Sequence, residues 1–280
     1  MKQLILCLLS LPLCAFRLPP VAKETQAVSA AVRQMYNAQF ESSRESLAAY
    51  SALRPGDPLA YSLLAASYLF SELDRCGALT GNLFADNRLV TESESDRVDP
   101  QITAALSNAA AQAREHAQAV LARNPQDTNA LLALCIVSGV QRDYLALVQH
   151  KMRESYQYIK ESLGYSTEVL QVDPAAYDAY LTKGLTEYLV ASLPFYLRWP
   201  MKLDNINGNK RQGVEDLRIA ANSGHYLKPF AQLLLAMFYL REKQPVETEK
   251  LLVQLTREYP ENHAFQEELQ KLDGSQSLGN

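Results

Sequence analysis

Four histidines, one calcium-like stretch and one aromatic segment are the places where this chain could carry chemistry. His116, His150, His225 and His263 are scattered, and none has a second histidine or a cysteine at a metal-ligand spacing. A His-Glu-x-x-His zinc signature, a Gly-x-Ser-x-Gly nucleophile turn and a phosphate loop ending in Gly-Lys-Ser or Gly-Lys-Thr are all absent. Asn205-Ile206-Asn207-Gly208 has the glycine of a calcium loop. With Gly208 at the sixth place, however, Leu203 and Val214 occupy the first and twelfth, where the ion needs carboxylates. The residues therefore argue against an enzyme, a metal centre or a cofactor, and for a binding protein.

The sharpest binding candidate is Ser192-Leu193-Pro194-Phe195-Tyr196-Leu197-Arg198-Trp199-Pro200-Met201-Lys202, which holds the chain's only tryptophan between two prolines. Prolines so placed interrupt regular helix, and Trp, Tyr and Arg dominate interaction hot spots. Tyr196, Arg198 and Trp199, with Tyr156, form the candidate partner-binding set. The competing expectation is that the segment folds back as a packing cap between neighbouring repeats, because so many exposed apolar groups invite aggregation. Tyr156 belongs to Asp143 through Gln171, which lacks proline and reads as one long helix. There Tyr144, Leu147, Val148, Met152, Tyr156, Ile159 and Leu163 recur at helical spacing, as a core stripe or as an aromatic face for a partner helix. Residues 77–101, with the acidic run Glu92-Ser93-Glu94-Ser95-Asp96, read as a solvated connection.

These segments interrupt a periodic background. Proline-centred turns recur at Arg54-Pro55-Gly56-Asp57-Pro58, Asn124-Pro125-Gln126-Asp127, Val172-Asp173-Pro174 and Tyr259-Pro260-Glu261-Asn262. The cleanest unit runs from Pro229 to Asn262. Counting Pro229 as one, Leu235 stands at seven, Ala236 at eight, Tyr239 at eleven, Leu252 at twenty-four, Leu255 at twenty-seven and Pro260 at thirty-two. A small residue at eight lets two helices approach, large residues fill the gap around it, and the proline ends the second helix. The unit resembles the tetratricopeptide repeat (TPR). The resemblance implies an all-α, right-handed helical-repeat solenoid of about five degenerate helix pairs, near residues 24–57, 58–125, 126–174, 175–224 and 225–262, carrying insertions. Close helix contacts are expected at Ala65, Cys135, Gly184 and Ala236.

Val172 to Phe265 further resembles exported bacterial TPR proteins of unassigned role, through Asp178-Ala179-Tyr180, Gly184-Leu185, Tyr188, Leu193-Pro194, Gly208, Asp216-Leu217 and Ala220-Ala221. More distantly it is similar to mitochondrial outer-membrane proteins with degenerate repeats and to the periplasmic helical-repeat component of some tripartite transporters. What these imply is a scaffold that holds a protein or peptide partner on its concave face, or alternatively a small-ligand carrier serving a transporter.

Lys2 followed by the apolar run Leu4 to Phe16 has the order of a secretory leader, with cleavage expected after Ala15. This predicts residues 1–15 as signal, 16–23 as linker, 24–272 as solenoid and 273–280 as a disordered tail, in an exported, periplasmic or envelope-associated protein. A formal charge of −4 without any basic block argues against nucleic acid as a partner. Cys76 and Cys135 sit at different levels of neighbouring helices, so no disulfide is expected between them.

Overall fold

The computed structural model describes residues 20–77, 79, 98–192, 206 and 208–277, with side chains between residues 26 and 274. Within them the chain forms eleven α-helices and one π-helical turn. In order these are α1 (Pro20–Tyr36), α2 (Phe40–Leu53), α3 (Pro58–Arg75), α4 (Pro100–Leu121), α5 (Thr128–Asp143), the π-turn Tyr144–Val148, α6 (Met152–Val172), α7 (Ala179–Ser192), α8 (Lys210–Ser223), α9 (Lys228–Arg241), α10 (Pro245–Glu258) and α11 (His263–Ser277). Consecutive helices pack as antiparallel pairs, and each pair packs on the next. This is a TPR-like solenoid of five pairs, closed by a lone last helix that reaches into the stretch read as a tail.

The four proline turns share one geometry. The amides of Asp57, Asp127, Ala176 and Asn262 donate to the carbonyls of Arg54, Asn124, Asp173 and Tyr259 at 3.0–3.1 Å, each spanning a proline at the second turn position. Asp57, Asp127 and Asn262 then turn their side chains to the exposed amides that open α3, α5 and α11, so one short sequence both ends a helix and starts the next. The tight turns inside the first and last pairs also match. Ala38 and Lys243 both adopt φ 60°, and the amides after them reach back to Gln34 and Tyr239 at 2.9 and 2.8 Å.

Within every pair the helices cross over small residues. The first helices contribute Ala31, Ala65, Cys135, Gly184 and Ala236; the second contribute Ser43, Ala113, Ser162, Gly213 and Thr248, and all ten are buried. In the first and last pairs the second-helix hydroxyl donates to the carbonyl opposite: Ser43 Oγ to Ala31 at 2.8 Å and Thr248 Oγ1 to Ala236 at 3.2 Å. All four residues expected at close contacts are buried, and close approach is seen directly at Gly184 and Ala236. Between crossing residues the connection varies from a tight turn to residues 76–99, yet the crossing itself is kept.

First helices after α1 are buried on most sides. In α9, every residue from Pro229 to Tyr239 is buried. Second helices bury one narrow stripe, such as Thr248, Leu252 and Leu255 on α10. Thr128–Val148 is apolar enough to span a membrane, but 72% of it is buried within the fold, as befits a central helix.

One reading of the sequence is corrected. Asp143 to Gln171 is not a single helix. The stretch to Val148 extends the first helix of its pair, the Gln149 amide bonds to the Tyr144 carbonyl in π fashion, and His150 takes a left-handed φ of 55° before α6 begins. The apolar stripe is divided accordingly. Tyr144 and Val148 are core, whereas Met152 is 47% exposed and Tyr156, Ile159 and Leu163 are half-buried.

The last pair returns to the first. Phe230 of α9 meets Phe70 of α3 edge-on at 5.0 Å, Phe70 meets Tyr36 at 5.3 Å, and Tyr36 meets Tyr259 at 5.8 Å. Asn262 Nδ2 donates to the Tyr36 carbonyl at 2.9 Å, and Gln39 Nε2 donates to Glu261 Oε2 at 2.6 Å. These contacts bring α9 of the last pair against α3 of the second and the end of α1.

Candidate interaction groove

A surface depression lies along α6. It encloses about 380 Å³, open to solvent, and is lined by Lys160, Leu163, Gly164, Thr167, Glu168 and Gln171 of that helix and by Ile206. Its position follows from how α6 packs. The residues α6 buries are Ser155, Ser162, Ser166 and Val169. Each serine hydroxyl donates to a carbonyl one turn earlier on its own helix, Met152, Ile159 and Leu163 respectively, at 2.8–3.3 Å. The hydroxyls are satisfied without help from α5, and their small size draws the two helices together. The bulkier Met152, Tyr156, Ile159 and Leu163 are displaced to the flank, where Leu163 lines the groove.

Arg114 fixes α6 against its neighbours. Its guanidinium, on α4, donates to both carboxylate oxygens of Glu161 on α6 at 2.6 and 2.8 Å and to Gln141 Oε1 on α5 at 2.7 and 2.9 Å, beneath the Tyr158 ring at 5.6 Å. Burial, then the adjacent Glu161 charge, pushes the Tyr165 phenol above its ordinary value. At the other end, Tyr144 Oη and Thr103 Oγ1 share a 2.6 Å hydrogen bond that pins the π-turn to α4.

The opposite wall enters at Ile206, which is only 2% exposed. Two residues on, Gly208 crosses the end of α7 so closely that a Cβ there would stand 2.2 Å from the Ala191 amide nitrogen. Only glycine fits, because backbone blocks the space. The Asn209 amide then bonds to the Glu187 carbonyl at 3.1 Å, and its side chain caps α8 through the Gln212 amide. Gly208 thus serves a packing role, in keeping with the missing calcium ligands.

Of the expected partner-binding residues, Tyr156 is half-buried on α6, one turn before Lys160 on the face that forms the groove. Tyr196, Arg198 and Trp199 lie outside the described residues, as does most of the acidic connection after Gly77. The histidines remain apart. His116 stacks on Tyr61 at 4.9 Å, His150 occupies the break before α6, His225 meets the edge of Tyr226, and His263 opens α11. Among the described residues no group of three histidine, cysteine or acidic side chains converges as a metal site.

Two buried polar sites were not foreseen. Asp178 accepts hydrogen bonds from the amides of His225, Tyr226 and Leu227 at 2.7–3.1 Å, tying the start of α7 to the entry of α9. Burial raises its pKa above the ordinary carboxylate value, while the three amides oppose that rise. Asp216, 1% exposed, accepts from Lys183 Nζ at 2.7 Å and Gln212 Nε2 at 2.8 Å, joining α7 to α8. The Asp178-Ala179-Tyr180 and Asp216-Leu217 stretches marked both places, but only as repeat landmarks. Cys76 and Cys135 are not disulfide-bonded, and burial raises the Cys135 thiol to about 11.

No family model matches the sequence, and no curated protein matches it. A solved structure similar to this chain is a thermophilic TPR protein of Thermus thermophilus, with 14% identity and a TM-score of 0.47, covering 89% of this chain and 98% of that one.

Proposed function

We propose that this TPR-like solenoid is an exported scaffold or adaptor that holds a protein or peptide partner. The observation that carries this reading is the groove along α6: an open, mixed polar and apolar trough lined by Lys160, Leu163, Thr167 and Glu168, on a helix tied to α4 by Arg114. Such a surface suits a chain segment, whose backbone and side chains both need partners, better than a small apolar ligand. Among the described residues the seam between Phe70 and Phe230 contains only a void of about 10 Å³, room for no more than one water. The carrier alternative would instead need a deep apolar cavity lined by Tyr156, Tyr196 and Trp199, of which the last two lie outside the described residues. On this reading the partner lies on the α6 flank of the molecule. Export rests on the Lys2 and Leu4–Phe16 leader pattern, and envelope association follows from the same pattern.

The test is affinity capture from the native envelope fraction with the wild type and with Gly164→Trp, which fills the groove from an exposed position with open space around it. The expected result is a partner recovered with the wild type and lost with the variant at unchanged helix content. Equal recovery with both would remove the groove from consideration, and a chain found wholly in the cytosolic fraction would remove export.

A further inference from the structure

The seam joining the last helix pair to the first differs from the interfaces between successive helices. Within pairs small residues bring the helices together, and α7 meets α9 through the stack of Tyr188 on Phe238 at 3.7 Å. At the seam, Met35, Tyr36, Phe40, Phe70, Phe230 and Phe265 surround a small void. The Tyr36 hydroxyl, on a residue only 2% exposed, completes no hydrogen bond among the described residues. Buried polar groups in well-packed cores find partners, and packed interfaces leave few voids, so this contact is suboptimal on both counts.

Its polar fastenings come from turns rather than helix faces. Asn37 accepts from the Glu261 amide at 3.4 Å, Gln39 donates to Glu261 at 2.6 Å, and Asn262 donates to the Tyr36 carbonyl at 2.9 Å. Each side belongs to a tight connection between helices, and the Gln39–Glu261 bond is exposed. Releasing it leaves every helix pair intact, because pairing depends on the crossings within each repeat and not on the seam.

We propose that this seam is a releasable clasp. In the closed molecule the α1–α2 pair and the 260–262 turn hold the inner face shut. When the clasp opens, the aromatic rail Tyr36, Phe70, Phe230 and Phe265 faces solvent while the five pairs remain folded. The device rests on the scaffold reading, since it gives the inner face two states, covered and available. It belongs to the low-energy end of local opening, where turns and terminal units separate before central helices.

Two measurements on the full chain test it. Hydrogen–deuterium exchange of the wild type is expected to show amides of residues 36–39, 230–233 and 262–265 exchanging at least tenfold faster than the centres of α5 and α7 in the same sample. Exchange of the seam at the rate of those centres overturns the clasp. In the second, Asn37→Ala combined with Gln39→Ala, two side chains that fasten the seam without capping a helix, is expected to raise 1-anilinonaphthalene-8-sulfonate fluorescence several-fold while far-ultraviolet dichroism stays at the wild-type level. Unchanged fluorescence, or loss of the helical signal, overturns it too, because the seam would then be either still shut or ordinary core. Neither readout involves a partner, so failure of the clasp is distinguishable from failure of the α6 groove.

Discussion

Gly184 of α7 and Gly213 of α8 face each other so closely that a Cβ on either would stand 2.7 Å from the other's carbonyl oxygen. Backbone blocks the space in both directions, so neither helix can accommodate the atom by rotating a side chain. Gly184→Ala should force the helices apart and cost about 1–3 kcal/mol, by the usual penalty for overpacking a close crossing. Gly164→Ala supplies the contrast, because nothing lies within 4 Å of a Cβ at that exposed position on α6. There alanine should stabilise by about 0.5–1 kcal/mol through helix propensity alone. Thermal or urea denaturation of the two variants gives opposite signs if the crossing is as drawn.

Asp178 gives a pH-dependent prediction. Its folded pKa is raised by burial, so between the ordinary carboxylate range and that raised value the folded state binds more protons than the unfolded one. Stability therefore falls as pH rises through this window, and the penalty is fully present above it. Burial raises Glu187 and Asp74 with the same sign, while Glu242, held down by Lys210 and Tyr188, contributes the opposite one. The difference between the wild type and Asp178→Asn isolates the one group. The amide keeps an acceptor for the three backbone donors, so that variant should lose this part of the downward slope. Asp178→Ala strands the donors and should cost about 3 kcal/mol. Urea midpoints measured from pH 4 to 8 decide between these outcomes.

Cys135 is 1% exposed and donates to Thr182 Oγ1 at 3.5 Å, and its thiol is raised to about 11. The thiolate is the reactive form, so alkylation at pH 8 should leave Cys135 unmodified until the chain unfolds. Cys76, at the half-buried end of α3, should react sooner. Peptide mapping after timed iodoacetamide treatment gives both rates, and early labelling of Cys135 would show that its helix is open to solvent.

Leu252→Ala removes a side chain that is 4% exposed between α9 and α10 and should cost about 2–5 kcal/mol. In an open array, loss of that packing would loosen the last helices while the first remained folded. Contact between Phe230 and Phe70 links those regions, so with the clasp shut the loss is shared. The expected result is a single transition with both ends of the chain reporting the same midpoint. Adding Asn262→Ala should split that transition, with the last helices melting first.

Much of the fold was legible because its signals are local. Proline turns, small crossing residues and the caps at Asp57 and Asp127 follow from nearby backbone geometry, and each repeats. For α6 two sequence signals competed. Aligned on the turn at Pro174, the repeat frame puts Ser162, Ser166 and Val169 on the inward face, whereas the apolar stripe puts Tyr156, Ile159 and Leu163 there. Structure follows the former, since serines that bond to their own helix can be buried cheaply and allow a closer approach. The seam was not legible at all. Phe70 and Phe230 make no pattern together in sequence, and their meeting depends on the accumulated rotation of every intervening pair. The candidate groove was legible only through Tyr156, because Ile206 and Gly208 acquire their places from the path of the chain over α7.

That meeting of the 37–39 turn with the 260–262 turn also fixes how many modules the molecule can contain. An open array tolerates duplication or loss of a unit, because each addition only lengthens the rod. Here an extra pair, or one fewer, would swing the final turn away from Asn37 and Gln39, leaving aromatic rings on both ends without their cover. The chain is therefore committed to its present count, and variation among relatives that keep the seam should appear in the connections between crossing residues, where length can change without moving the ends.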